Sequence, residues 1–432
     1  MIDPVLAHGV GRVYESPIPI YLYALGAGLT VLASFALRAL AGDRAVEARE
    51  RPVAGARAAR IVAAVLKTTG AVALLLLVAS AVTVSESGLT PSPLLFWVGL
   101  VIGMTVLSAL LGGVWEAADP WATFEGVYRI ETPERESIRP PWWTGPALVY
   151  ALFWFELVSG VGFDAAGVLG AVLVYSLLTF TFRHRIGAGW SLVDPLSILF
   201  GFASMTSSLY LRKDGIYYRG LGGLDRREAM PLALFASVFV LLASTTLDNI
   251  RETVGWSSFL GATRLDALPR MLLDSLALGV FTLLFLAPFL AAIALSGPGI
   301  VRERGVVGAA RSLGWSLVPI GVAYVLAHNA PLVISGVPQL LRSLADPFGL
   351  GWNLLGLGGL WESFAASPQF VWYLEIALIV GGHVLGVLAA HRAAVRLAGD
   401  HSGAVRSQYA LTILMSVYTI ATLWLLAQPL VA

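Results

Sequence analysis

Residues 374–392 read LEIALIVGGHVLGVLAAHR. The run is apolar and long enough to cross a bilayer, whose hydrocarbon core takes about 20 helical residues. It nevertheless carries Glu375, His383 and His391. An ionisable group in hydrocarbon is costly, so it turns to the protein interior and takes a partner. Gly381, Gly382 and Gly386 surround His383. Gly382 and Gly386 have the small-xxx-small spacing that lets another helix, or a flat cofactor, approach the backbone closely. This stretch therefore sets the fold as a helix inside a bundle of membrane-crossing helices.

Composition agrees. The chain has 432 residues, of which 57% are hydrophobic and only 13% charged, against about 25% charged in soluble domains. The expectation is an all-α polytopic integral membrane protein. A single helical domain covers residues 18–427, with about ten transmembrane helices plus one re-entrant or interfacial segment at residues 194–211. An external arm at residues 1–17 precedes it and an external tail at residues 428–432 follows. The net charge of +1 gives no field that would draw nucleic acid. The expected partners are the lipid bilayer and other membrane proteins or further copies of the chain. The absence of cysteine excludes disulfides, thiolate metal sites and a cysteine nucleophile. Met1–Gly11 lacks a basic stretch followed by an apolar one, so no cleavable signal peptide is expected.

Loop charge sets the orientation, because basic loops stay cytoplasmic. Arg44, Arg49, Arg51, Arg57 and Arg60 lie in the first loop, and Arg129, Arg135 and Arg139 in the loop after the third helix. Arg183 and Arg185, then Lys213, Arg219 and Arg226, and later Arg302, Arg304, Arg392 and Arg396 continue the pattern. The alternation holds only if residues 194–211 do not cross. Asp194-Pro195 opens that segment, and a backbone break at membrane depth needs protein or a cavity around it. The result is a plasma-membrane protein with ten crossings and both termini outside. Arg251, Arg264 and Arg270 are the exception on the outer side. Residues 248–270 and the Gly/Pro-rich stretch 329–369 read as loops. Asp-Pro recurs at Asp119, Asp194 and Asp346 without the spacing of a repeat.

This topology brings His8, Glu156, Asp248, Asp274, His328 and Glu375 to the outer ends of their elements. His383 lies eight residues, about 12 Å, deeper than Glu375. The imidazoles of His8, His328 and His383 suit a divalent transition metal such as zinc, iron or copper. Asp248, Asp274 and Glu375 are the candidate catalytic carboxylates, as a further ligand or a general base. A bound ion would lower the pKa of water and could drive hydrolysis. No local motif of the HExxH type is present. A haem b held by His328 and His383 is the alternative cofactor, and a transporter using Glu156 or a subunit of a larger complex is a further alternative. The plain structural readings are solvated helix ends for the carboxylates, a basic anchor for His391 with Arg392, and interfacial belts for Trp142, Trp143 and Trp372.

Several short pieces also carry a likeness. They are Leu6-Ala7-His8-Gly9 with Ser16-Pro17-Ile18-Pro19, Asp119-Pro120-Trp121, Asp194-Pro195-Leu196, Ala327-His328, and Ala345-Asp346-Pro347 through Gly351-Trp352. Gly382-His383, Ala390-His391 and Arg406-Ser407-Gln408-Tyr409 complete the set. On these the chain resembles the prokaryotic multi-pass membrane proteins named fenitrothion hydrolase, an organophosphate-hydrolysing class. The resemblance implies that His8, His328 and His383 belong to the family's pattern, without saying what they bind.

Overall fold

The computed structural model describes residues 20–41, 50–83, 91–128, 138–263, 265–302, 304–356, 367–399, 401–426 and 428. His8, the rest of the N-terminal arm and most of the short C-terminal tail lie outside the described residues. Twelve principal helices organise what is described. They are α1 (Ile20–Ala41), α2 (Ala56–Val82), α3 (Pro91–Leu110), α4 (Thr144–Leu157), α5 (Ala165–Ile186) and α6 (Pro195–Thr206), then α7 (Leu232–Arg251), α8 (Ala267–Ala294), α9 (Gly305–His328), α10 (Ala330–Ala345), α11 (Pro368–Ala398) and α12 (Tyr409–Leu426). Among the described residues, eight of them are long and apolar enough to cross a membrane: α2, α3, α5, α7, α8, α9, α11 and α12. The expected ten depends on α1 and on α4, which has 14 residues.

Burial separates the bundle into a centre and a rim. The spanning windows of α7 and α9 are each 78% buried, whereas that of α2 is 6% buried. The exposed apolar side chains of α2, α5 and α8, such as Leu75, Leu177 and Leu283, therefore face lipid. α9 and α11 run antiparallel and meet at the glycines that the sequence singled out. A Cβ on Gly382 would lie 2.3 Å from Ala323 Cβ, and one on Gly386 would lie 2.8 Å from the Ser316 carbonyl oxygen. α1 and α12 also run antiparallel, with Phe35 against Tyr409 and Ala24 clustered with Leu423. The described chain thus begins and ends at one end of the bundle, the end that holds Ala327 and His328.

The opposite end carries a four-stranded sheet that an all-α reading did not anticipate. β1 (Arg51–Gly55), β2 (Leu111–Gly112), β3 (Leu209–Arg212) and β4 (Gly215–Tyr218) pair in the order β1-β4-β3-β2, with β2 and β3 parallel. β1 comes from the first basic loop and β3 and β4 from the basic segment around Arg212, so these two share one side of the bundle. Gly113 ends β2 at a φ of 78°, in the left-handed region, and a Cβ there would sit 2.4 Å from the Leu211 carbonyl oxygen. Glycine serves at such a position without steric cost.

α6 feeds this sheet from inside the bundle. Asp194 caps it by accepting from the amides of Leu196 and Ser197, and Pro195 occupies the first turn, as capping rules favour. The Asp194 carboxylate also accepts from the Tyr175 hydroxyl at 2.7 Å, halfway along α5. At its other end Ser207 bonds Gly112 N and the Leu110 carbonyl oxygen. The buried Arg219 guanidinium donates to the Ser204 and Ser207 carbonyls and lies 4.3 Å over the Tyr210 ring. A cation there complements the helix C-terminus. Burial lowers the pKa of Arg219 from its usual value. Twelve residues span about 18 Å, well short of a bilayer core of about 30 Å.

Two stretches read as loops are helical. α10 lies within residues 329–369; Gly336 packs on Val98 of α3, and Gly99 faces Leu340. Its Pro331 sits in the first turn and Pro338 is internal, so proline content misled the reading. Val254–Thr263 is likewise a helix within residues 248–270. The Asp-Pro pairs are caps and loop anchors. Asp119 accepts from Ala122 N, and Asp346 accepts from the amides of Leu350 and Gly351.

Candidate metal centre

The last turn of α7 presents Asp248, Arg251 and Glu252 at i, i+3 and i+4, the spacing that places side chains on one helical face. α9 ends beside it at His328. His328 Nε2 stands 2.7 Å from Asp248 Oδ2. Asp248, Glu252 and His328 each offer a ligand atom, and these atoms lie within 4.8 Å of one another. Glu375 from α11 is close enough to interact electrostatically with both His328 and Glu252. Glu156 from α4 interacts in the same way with Asp248, His328 and Arg251. Three helices, α4, α7 and α11, thus bring four carboxylates to the one imidazole on α9.

This arrangement gathers carboxylates where negative charge already collects. α7 and α9 both point their C-terminal ends at the site, and a helix C-terminus carries about half a negative charge. Carboxylates there repel both the dipole and one another. Arg251 pairs with Asp274 across the cavity wall, its Nη2 3.5 Å from Asp274 Oδ2 on α8. A divalent ion would complement that charge, and oxygen donors with one imidazole are an ordinary donor set for one.

Asp248 also lines a cavity of about 790 Å³ together with Glu156, Asp164, Arg251, Arg270 and Asp274, with apolar walls from Leu157, Phe163 and Met271. Arg251 Nε and Asp274 Oδ1 are buried without a hydrogen-bond partner among the described residues. Buried polar atoms of this kind carry a desolvation cost, and a polar group in the cavity would relieve it.

The residues expected from sequence divide accordingly. Asp248 and His328 form the centre, Glu375 stands beside it, and Asp274 fixes Arg251 on the cavity wall. His8 lies outside the described residues. His383 is not part of the cluster. It is eight residues further along α11 than Glu375, about 12 Å deeper, and its Nδ1 bonds the Ile379 carbonyl oxygen at 2.8 Å. Among the described residues the donor set is therefore Asp248, Glu252 and His328, without His383. The slot suggested for haem b is filled, since Ala323 and Pro319 of α9 occupy the space beside Gly382.

Glu252 was missed as a site residue. Its signal was its position four residues after Asp248, hidden by reading residues 248–270 as a loop. His391 proves fully buried, not an interfacial anchor. At the sheet end a second polar cluster is structural, with Arg183 pairing with buried Asp119 at 2.7 Å and lying 3.7 Å from Glu125.

No family model matches the chain, and neither do any curated protein or solved structure.

Proposed function

We propose that this membrane protein binds a divalent transition metal through Asp248, Glu252 and His328 and uses it to hydrolyse an ester in the adjoining cavity. The observation that carries the reading is the convergence of these three donors where two helix C-termini already concentrate negative charge. Zinc and iron suit one imidazole with carboxylates. When bound, such an ion acts as a Lewis acid toward a phosphoryl or carbonyl oxygen. Asp248 orients the imidazole, and Glu375, near His328, accepts a proton from water. Arg251 and Arg270 on the cavity wall are placed to hold the oxygens of the substrate. The organophosphate-hydrolysing class that the sequence resembles is the substrate class to try first. On this reading the cavity opens to the outer face of the plasma membrane, and residues 194–211 form a re-entrant segment that does not cross.

The test is metal analysis of the purified protein with calorimetric titration of zinc and manganese. One ion per chain is expected. Glu252→Gln and His328→Ala are each expected to weaken binding by about two orders of magnitude, at or beyond the upper end of what outer-shell changes cost. Absence of bound ion in the wild type at micromolar metal would remove the reading. Turnover of a chromogenic phosphotriester that stops on chelation and resumes on readdition tests the hydrolytic part.

A further inference from the structure

Two of the most deeply buried ionisable groups of the bundle, His383 and His391, play no part in the outer cluster. Along α11, Glu375, His383 and His391 recur every eight residues, about 12 Å apart, and are 9%, 3% and 0% exposed. Glu375 stands level with the outer cluster. His391 lies toward the sheet end, with its Nδ1 3.1 Å from Gln408 Nε2 and its ring edge-on to that of His401 at 5.6 Å between centroids. His383 is midway.

The environment of His383 leaves one nitrogen with an evident task. Its Nδ1 bonds the Ile379 carbonyl oxygen, and a carbonyl only accepts. Nδ1 therefore carries the hydrogen and Nε2 is an acceptor. Among the described residues nothing bonds to Nε2. A cavity of about 20 Å³ borders the ring, with Tyr324, Tyr418 and Thr422 as its other polar walls and Leu242, Phe285 and Ile320 among the apolar ones. That volume is about the size needed for one water molecule. No charged residue lines it.

Both sides of this cavity lead to further polar groups. Toward the outer cluster, the Tyr324 hydroxyl takes a hydrogen bond from Asn249 Nδ2 at 3.2 Å. Asn249 adjoins Asp248, and Tyr324 is one turn before His328. Toward the sheet end, α12 runs antiparallel to α11: Thr422 shares the cavity with His383, and Gln408 meets His391. Between these two points Thr419, Ser416 and Thr412 are all buried on α12. Their spacing from Gln408 is i+4, i+8 and i+11, one helical face. The hydroxyls of Ser416 and Thr419 donate to the carbonyls of Thr412 and Met415, so their lone pairs remain free to accept.

We propose that this line, from the outer cluster through Tyr324, His383 and the α12 hydroxyls to Gln408 and His391, is a proton relay across the bundle with His383 as its central station. His383 Nε2 takes a proton from water on the Tyr324 side, the ring holds it as imidazolium, and Nε2 releases it toward the α12 hydroxyls. One proton enters and one leaves, and no electrons move. Buried histidines within membrane helices are the groups from which such relays are built. The proposal does not depend on the outer site holding a metal.

The test uses the full chain in sealed vesicles containing a trapped pH dye, with a potassium diffusion potential set by valinomycin. Wild-type vesicles are expected to move protons faster than protein-free vesicles. His383→Gln is expected to slow this flux by more than about tenfold, within the range by which a positioned proton-transfer group acts, while ion content at Asp248, Glu252 and His328 stays unchanged. Thr419→Val, which removes one hydroxyl and no ionisable group, is expected to slow it too. Wild-type flux no faster than in empty vesicles overturns the proposal. So does undiminished flux in His383→Gln or, where that variant does not fold, in Thr419→Val. Metal analysis of the same vesicles is a separate readout, so failure of the metal reading and failure of the relay are told apart.

Discussion

Gly382→Ala adds one methyl group where α9 and α11 cross, and Gly381 beside it is a control on the same helix. At Gly382 the new Cβ would lie 2.3 Å from Ala323 Cβ and 2.7 Å from the Pro319 carbonyl oxygen. Carbon atoms in contact prefer about 3.5–4.0 Å, so α9 and α11 must separate by more than about 1 Å at that point. Overpacking of this kind costs about 1–3 kcal/mol. Replacing a helical glycine returns about 0.5–1 kcal/mol, which leaves a net loss through most of that range. At Gly381 a Cβ meets nothing within 4 Å, so only the favourable change remains. Thermal unfolding in detergent, followed by tryptophan fluorescence, is expected to show Tm lowered by a few degrees for Gly382→Ala and unchanged or raised for Gly381→Ala. Adding Ala323→Gly removes the closest clash but not the one with Pro319, so recovery should be partial. Equal Tm for the two single variants would mean that α9 and α11 do not cross at Gly382.

Arg183→Ala leaves the Asp119 carboxylate buried without its 2.7 Å partner. A loss of about 3–5 kcal/mol is expected, and Asp119→Asn in the same chain should restore much of it; chemical unfolding of the single and double variants checks both. Glu125, outside the spanning helices, has its carboxyl pushed above the usual range by burial, against the lowering by Arg183 and His184. The folded state therefore holds this proton more tightly than the unfolded chain. The resulting stabilisation is complete below the unfolded pKa and is lost as pH rises through the folded one. Glu125→Gln should flatten the fall in stability as pH rises above the ordinary glutamate pKa of about 4.3, and parallel slopes in the two proteins would refute the assignment.

How much could be read in advance depended on the range of the interaction concerned. Gly382 and Gly386 were legible because close helix contact requires small residues at that spacing, and Asp194-Pro195 was legible because capping is local. α10 was not, since Pro331 and Pro338 suggested a loop while its helix is held by packing of Gly336 and Leu340 against Val98 and Gly99 of α3. The sheet was not, because β1, β2 and β3 are short and widely separated in the chain. Glu252 follows Asp248 by one turn and was within reach, yet its partner His328 lies far along the sequence.

By itself the sequence determined that this is a helical membrane protein with ionisable residues inside its bundle. Apolar run length and the cost of charge in hydrocarbon act along a single segment and need no knowledge of neighbours. Only the tertiary structure decided that Asp248, Glu252 and His328 share one site while His383 stands apart from it. That partition depends on the relative depth and rotation of α7, α9 and α11, which are fixed by side-chain packing between helices and leave no mark on any one of them.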